Sequence, residues 1–192
     1  MHLTPHYPDN LATLLGMDPG TNNFGLGWIT VNVETLEIVK TESLTLVADK
    51  MRPDSWYAEV NCDRHARLHV LSRNISDVLM YVRPSCVVTE SPFFNAKRPN
   101  AYQALVEAVE MIRQTVYCYD WQIPVSYIDP PSVKRAVGAA GNAKKEEVQA
   151  RVLKIAELNY QGSVPLAEVD EHQIDAIGVV YSKLIEFRRN RQ

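Results

Sequence analysis

The order in which strand-like and helix-like stretches of apolar residues follow one another limits the fold more than any other feature of the sequence. Three strand-like runs come first, at residues 11–17, 24–33 and 38–47, and short polar links join them. The first run ends in a turn-forming Asp-Pro-Gly sequence that begins at Asp18. Because strands joined by short links pair antiparallel, the pattern predicts an antiparallel three-stranded start to the fold.

After the third run the chain alternates between helix-spaced and strand-like segments. Two short β-branched runs, residues 86–89 and 125–128, predict two further strands. Apolar residues recur at intervals of three and four in four stretches, each of which predicts a helix with one buried face: Leu68, Leu71, Ile75, Val78, Leu79 and Val82; Leu105, Val109, Ile112 and Val116; Val148, Val152, Ile155 and Leu158; Ile174, Ile177, Val180, Leu184 and Phe187. We therefore expect an α/β fold, with a mixed five-stranded sheet whose first three strands are antiparallel and which helices flank.

The size and composition of the chain are those of one folded domain. It has 192 residues, of which 46% are apolar and 22% are charged, so it is long enough for a single core. We expect one domain over residues 1–192, with an irregular lead at residues 1–10 and a basic tail at residues 188–192.

Apolar run lengths, cysteine usage and net charge narrow the classes of protein further. No apolar run reaches the ~18 residues that a membrane span needs, which predicts a cytoplasmic protein without membrane contact. Cys62, Cys86 and Cys118 form no CxxC pair, so we expect no structural zinc, and Cys86, in an apolar run, is expected to be a buried thiol. The formal net charge is −3, so any binding of nucleic acid depends on local patches.

Acidic residues follow two of the predicted strands directly. Asp18 comes after the first strand, and Glu90 comes after residues 86–89. Ligands of α/β proteins gather at the carboxyl ends of central strands, where we expect these two side chains to meet. Two adjacent carboxylates repel each other, and a divalent cation such as Mg²⁺ removes that cost. The sequence therefore predicts a metal site at this edge of the sheet.

The last predicted helix brings further candidate ligands. Asp175 lies near its buried stripe, and at ~100° per residue Glu171 and His172 each fall within about 60° of it, one on either side. Helical periodicity does not choose between Glu171 and His172 as the partner of Asp175. Asp170 and Gln173 resemble a capping box, which predicts that Asp170 caps the start of this helix.

A segment with both aromatic and basic residues follows Glu90. It contains Phe93 and Phe94 and then Lys97 and Arg98. Aromatic rings bind unpaired bases by stacking, and basic side chains bind phosphates, so the segment is a candidate DNA contact that includes Lys97. We expect one of the two phenylalanines to belong to the core and Phe93 to be the exposed one.

Four blocks of sequence occur in the order and spacing of one known family. They are LLGMDPGTNNFGLGWI, VVTESPFFNAK, VKRAVGAAGNAKKEEVQ and HQIDAIGVV, and they extend over residues 14–180. In these blocks the chain resembles the RuvC family of Holliday-junction resolvases, which belongs to the ribonuclease H-like superfamily. The resemblance implies a ribonuclease H-like fold. The length and low basicity are more similar to a phage-type member than to a bacterial one, which implies the cytoplasm or nucleoid of a bacterial host as its location.

The resemblance also implies roles for individual residues. The metal-binding catalytic residues of the family fall on Asp18, Glu90, His172 and Asp175, and Glu171 stays open as an alternative to His172. The two active-site lysines of the family fall on Lys134 and Lys145, beside the scissile phosphate, and the aromatic residue that engages a base falls on Phe93.

The activity implied by the resemblance is resolution of four-way DNA junctions by paired, symmetric nicks through two-metal phosphodiester hydrolysis. Two Mg²⁺ ions bridged by Asp18 are implied, and Mn²⁺ is expected to substitute because imidazole is a softer ligand. Paired cuts imply a homodimer, formed through the predicted helix at residues 57–82 or the one at residues 101–118. The alternatives are the same chemistry on flaps, forks or Y-junctions, an inactive DNA-binding module, and an ATPase with a DxGT loop. The short chain and the lack of a second glycine-rich loop argue against the ATPase.

Overall fold

A mixed five-stranded sheet forms the centre of the fold in the computed structural model, which describes residues 10–51, 55–93 and 99–191. Its strands are β1 (Leu11–Asp18), β2 (Asn23–Asn32), β3 (Ile38–Val47), β4 (Cys86–Glu90) and β5 (Val125–Ile128). The spatial order is β3-β2-β1-β4-β5; β1, β2 and β3 pair antiparallel, and β4 pairs parallel with both β1 and β5. This arrangement confirms the predicted sheet.

Helices cover both faces of this sheet. Those of the described residues are α1 (Ser55–Asn61), α2 (Asp63–Val82), α3 (Pro99–Tyr119), α4 (Pro130–Ala136), α5 (Lys145–Val152) and α6 (Glu171–Arg189). The core on one face is formed with α2 and α3, and the core on the other face with α4, α5 and α6. None of the helices in the described part of the chain has the length and hydropathy that a bilayer span needs. Cys62, Cys86 and Cys118 are free, and Cys86 is buried as predicted.

Helix α6 lies directly against glycines of β1 and β2. A Cβ atom on Gly16 would stand 2.6 Å from the carbonyl oxygen of Ala176, and one on Gly27 would stand 2.9 Å from the backbone nitrogen of Ile177. A Cβ atom on Gly25 would overlap the carbonyl oxygen of His172. These three glycines, which have no Cβ atom, therefore allow the backbone of α6 to approach the sheet closely.

The third predicted helix, on Val148, Val152, Ile155 and Leu158, was wrong in its length. Helix α5 ends at Val152, and Leu158 lies in a separate 3-10 turn, Ala156–Leu158. The backbone leaves the helix because residues 159–161 pair with β3: Thr41 donates to the carbonyl of Asn159 and accepts from the backbone of Gln161. Leu158 still reaches the core, so the apolar spacing continues through the break and could not reveal it.

Two other helices differ from the sequence-based expectation. The stretch at residues 57–82, expected as one helix, is divided into α1 and α2 at Cys62, whose φ of 72° is left-handed. Helix α4 was not predicted, although Asp129 caps it by accepting from the backbone of Ser132 and proline occupies its first position. An Asp-Pro start is a usual signal for a helix N-terminus, but here the sequence was interpreted only as the end of the strand before it.

The last turn of α6 is anchored to the turn between β2 and β3. Arg188 donates to the carbonyl oxygen of Leu36 and forms an ion pair with Glu157 at 2.7 Å, and Arg191 donates to the carbonyl oxygen of Glu34. Arg188 therefore lies within the helix, in the region for which a basic tail was expected. Residues 1–9 and 192 lie outside the described residues.

Candidate active site

A pocket of about 310 Å³ opens at the carboxyl ends of β1 and β4. Its polar lining consists of five residues that the sequence analysis selected: Asp18, Glu90, Lys134, Lys145 and Asp175. Its apolar lining comes from α4, α5 and α6, each of which supplies two residues: Pro130, Val133, Val148, Val152, Ile174 and Gly178. The acidic and basic groups thus share one cavity with an apolar floor.

Strand register brings Asp18 and Glu90 to this pocket. In β1 and β4, which are parallel neighbours, Met17 pairs with Thr89, and the two acids each follow by one position. Successive side chains of a strand point to opposite faces, and Val88 already belongs to the core beneath α6. Glu90 therefore points to the same side as Val88, and its neighbour Asp18 points there too.

Glu90 lies in an environment that disfavours its charge. Burial, together with the nearby carboxylates of Asp18 and Asp175, raises the pKa of Glu90 to about 7 against the opposing effect of Lys134 and Lys145. A carboxyl group held in this way gains stability from any cation that enters the pocket. The three acids expected to share a metal site are thus close enough to influence one another.

His172 is the α6 residue that contacts Asp18. Its Nδ1 lies 3.1 Å from Oδ2 of Asp18, and this hydrogen bond raises the pKa of His172 against the effect of partial burial. Glu171, the alternative left open by periodicity, has a side chain that is 56% exposed and lies 3.0 Å from Nζ of Lys145. Of these two neighbours on α6, His172 therefore faces Asp18, and Glu171 faces Lys145.

Lys145 forms an ion pair with the third acid of the pocket. Lys145 is the first residue of α5, and its Nζ lies 2.8 Å from Oδ2 of Asp175 on α6. Partial burial alone would lower the pKa of Lys145, but hydrogen bonds to Asp175 and Glu171 outweigh it and raise that pKa. The lysine ammonium group therefore supplies the cation that balances Asp175.

The other candidate substrate-binding residues lie at different distances from the pocket. Lys134 is on α4, lines the pocket, and donates to the carbonyl oxygen of Ala143 at 2.7 Å. Phe93 follows β4 outside the pocket and is 68% exposed, which confirms that its ring is on the surface. Lys97 and Phe94 lie outside the described residues.

Helix α6 begins where the sequence predicted. Asp170 is its N-cap and accepts from the backbone nitrogen of Gln173 at 3.0 Å. The same carboxylate accepts from Oγ1 of Thr45 at 2.7 Å, and the amide of Gln173 accepts from Ser43. These bonds tie the start of α6 to β3 and so hold His172 over β1.

Replacing Asp170 by alanine is expected to lower the free energy of unfolding by ~1 kcal/mol, because the helix loses its cap. Asp170→Asn is the matched control, since asparagine is an equally good cap and keeps an acceptor for Gln173 and Thr45. Urea unfolding followed by circular dichroism measures both variants. Equal stability of the alanine variant and the unmodified protein would contradict the capping role.

The donors around the pocket fit a hard divalent cation by their chemistry, since carboxylate oxygens are its preferred ligands. In their present positions, no three His, Cys, Asp or Glu side chains among residues 10–51, 55–93 and 99–191 are arranged to hold a metal ion. The reason lies in their partners: Asp18 is hydrogen-bonded to His172, and Asp175 is paired with Lys145. Binding of a cation requires these groups to exchange partners.

Gln149 is a residue of the site that the sequence analysis did not select. It lies on α5 and its amide is close enough to Asp175 to affect the pKa of that carboxyl. The signal available in the sequence was its spacing of four from Lys145, which places both side chains on one face of a helix. That spacing alone does not say which neighbouring helix the face meets.

Comparison with protein families and relatives gives consistent matches. The family model described as Crossover junction endodeoxyribonuclease RuvC matches residues 14–179 of the chain. A relative with that name from Syntrophomonas wolfei is 28% identical over 175 residues, which cover 91% of this chain and 90% of the relative. Another from Thermus thermophilus is 31% identical over 137 residues, which cover 71% of this chain and 75% of the relative.

Solved structures show a similar fold. The structure described as T. thermophilus RuvC in complex with Holliday junction substrate aligns with a TM-score of 0.65 at 20% identity, over 92% of this chain and 96% of that one. The yeast mitochondrial Holliday junction resolvase aligns with a TM-score of 0.54 at 13% identity, over 98% of this chain and 85% of that one. These likenesses confirm the predicted ribonuclease H-like fold.

Proposed function

The chain belongs to the RuvC family of crossover junction endodeoxyribonucleases, and from this membership we propose that it resolves four-way DNA junctions by paired, symmetric nicks. The observation that carries the proposal is the meeting of Asp18, Glu90 and Asp175 at one pocket, with two lysines beside them. Acidic groups that bind a hard cation and basic groups that bind a phosphate are the two requirements of phosphodiester hydrolysis.

The proposed metal ligands are Asp18, Glu90, His172 and Asp175, which would hold two Mg²⁺ ions, with Mn²⁺ able to substitute. When bound, the ions supply an activated water and stabilise the charge on the leaving oxygen. His172 is preferred to Glu171 in this set because it already contacts Asp18, whereas Glu171 pairs with Lys145. Because the pKa of Glu90 is raised to about 7, protons compete with a cation for this carboxylate, and cation binding is expected to strengthen as the pH rises through that value.

Lys134 and Lys145 are proposed to bind the scissile phosphate. Both line the pocket, and the ammonium group of Lys145 is half-exposed beside Asp175. Ammonium groups form strong, charge-assisted hydrogen bonds with phosphate oxygens. Lys145 therefore exchanges a carboxylate partner for a phosphate partner when DNA and metal are bound.

Phe93 is proposed to stack on a base exposed at the branch point, and Lys97 to bind the neighbouring backbone. Phe93→Ala is expected to reduce junction cleavage about tenfold, because stacking on an aromatic ring contributes ~1–3 kcal/mol. Its thermal stability should stay unchanged, since the ring is exposed. Trp121→Ala is the control: that ring is 71% exposed but lies before β5, away from the carboxyl ends of the strands. Equal loss of cleavage in both variants would contradict a specific role for Phe93.

Two symmetric cuts require two active sites, so the proposal includes a homodimer. The pocket described above holds one set of acids, so one copy of the chain would supply one of the two active sites. The candidate dimer surfaces are those of α2 and α3, which lie on the face of the sheet opposite α6 and so leave the pocket free for DNA.

The test of the proposal is cleavage of defined DNA substrates. End-labelled four-way junctions, flaps, forks and linear duplexes are incubated with Mg²⁺, with Mn²⁺ and with chelator. Paired nicks at symmetric positions of the four-way junction, lost with chelator, support junction resolution. Preferential cleavage of flaps or forks would replace it by DNA debranching through the same site. Binding of junctions without any cleavage would overturn the enzymatic proposal and leave a DNA-binding module.

A further inference from the structure

Gln149 lies one helical turn after Lys145 on α5. Side chains four positions apart lie on the same face of a helix, and Lys145 shows which way that face points, because its Nζ contacts Asp175 on α6 at 2.8 Å. The adjacent Val148 and Val152 form part of the apolar lining of the pocket. Gln149 is therefore an amide at the boundary between this apolar floor and a catalytic carboxylate.

The amide nitrogen of Gln149 is buried and makes no hydrogen bond of normal geometry within the described part of the chain. Burial raises the pKa of Asp175, whereas Lys145 and the amide of Gln149 lower it, so the amide lies close to that carboxyl. A buried donor without a partner costs ~1–3 kcal/mol, and an apolar side chain of the same size would avoid this cost. Because the amide of Gln149 costs stability in the present state, we expect it to find its hydrogen-bond partner in another state of the site.

We infer that Gln149 is a positioning residue for Asp175, which orients the carboxylate once Lys145 has left it. The inference rests on the proposed function, in which Asp175 binds metal and Lys145 binds the phosphate. A cation bound by Asp175 repels the ammonium group of Lys145, so that lysine leaves and Asp175 loses the donor that now contacts it at 2.8 Å. A neutral amide orients a carboxylate without competing with a cation for its charge, which is the usual role of groups that support metal ligands.

The test compares Gln149→Met with the unmodified protein in three measurements. Methionine keeps the length of the side chain and removes the donor. We expect the free energy of unfolding in urea to stay the same or to rise, because an unpartnered buried amide is removed. We expect the affinity for Mn²⁺ without DNA, measured by electron paramagnetic resonance of free Mn²⁺, to fall about tenfold or more, as for other groups that orient metal ligands. Junction cleavage should then need correspondingly more metal, while junction binding in chelator stays unchanged.

Gln122→Met is the matched control, since this exposed glutamine lies between α3 and β5, at the end of the sheet away from the pocket. It should change neither Mn²⁺ affinity nor cleavage. Unchanged Mn²⁺ affinity in Gln149→Met, or a loss of stability in parallel with the loss of affinity, would overturn the inference and leave the proposed function intact. Failure of the unmodified protein to bind Mn²⁺ and to cleave any substrate would overturn the proposed function, and the inference with it.

Discussion

Replacing Asp18 by asparagine is expected to reduce junction cleavage by about 10³-fold or more, because Asp18 is the proposed shared metal ligand and its loss would remove several kcal/mol of stabilisation from the transition state. Asparagine has the shape of aspartate but no charge, so it does not offset the charge of two divalent ions. The side chain is largely buried, and its amide still offers an oxygen to His172, so the fold is expected to survive. The measurement is the single-turnover rate of cleavage of a labelled four-way junction with Mg²⁺.

The control for this change is Glu34→Gln, which also removes one negative charge, at an exposed position of the turn between β2 and β3 at the opposite end of the sheet. It should cleave at the rate of the unmodified protein. Circular dichroism and a thermal melt should show that the Asp18 variant is folded, and gel-shift assays should show that it still binds the junction. Cleavage within tenfold of the unmodified rate would rule out Asp18 as a metal ligand.

Replacing Gly16 by alanine is expected to lower the free energy of unfolding by ~3 kcal/mol, at the upper end of the usual cost of overpacking. The added Cβ atom would stand 2.6 Å from the carbonyl oxygen of Ala176 and 2.7 Å from the backbone nitrogen of Val180. Both are backbone atoms of a helix, which cannot move aside as a flexible side chain can. Helix α6 would therefore have to shift away from the sheet as a whole.

Gly178→Ala makes the same substitution within α6 itself and is expected not to lower the free energy of unfolding. The atoms nearest to its added Cβ are side-chain atoms of Val133 and Val152, at 3.5 Å, and of Val137, at 4.0 Å, which are ordinary contacts. Alanine is favoured over glycine inside a helix by ~1 kcal/mol, so the free energy of unfolding should stay the same or rise. Guanidinium unfolding of both variants measures the difference. Similar stabilities of the two variants would show that the approach of α6 to β1 is not tightly constrained.

The sheet and the first two acids were predictable because strand periodicity and strand ends are local properties. The apolar run before Asp18 and the β-branched run before Glu90 each indicated a buried strand, and two parallel neighbours necessarily end at the same edge. The end of α5 was not predictable, because pairing of residues 159–161 with β3 depends on a strand far away in the sequence. Local spacing shows which residues are buried but not which backbone partners they find.

The same distinction applies to the candidate site. The buried stripe of the last helix indicated Asp175, and the capping pattern correctly identified Asp170 as the N-cap. The choice between Glu171 and His172 stayed open because helical spacing puts both beside Asp175. The partners of these side chains were not predictable either, since the ion pair between Lys145 and Asp175 depends on how α5 packs against α6. Contacts between elements require the packed structure.

The hydrogen bond between Asp18 and His172 joins residues 154 positions apart, from the first strand and the last helix of the fold. Contacts between such distant positions are slow to form, because closing a long loop costs chain entropy before any contact repays it. A chain in which α6 has yet to dock holds Asp18 and Glu90 but lacks Asp175 beside them. The proposed capacity to cut DNA therefore depends on completion of folding, so that partly folded molecules are expected to leave DNA uncut.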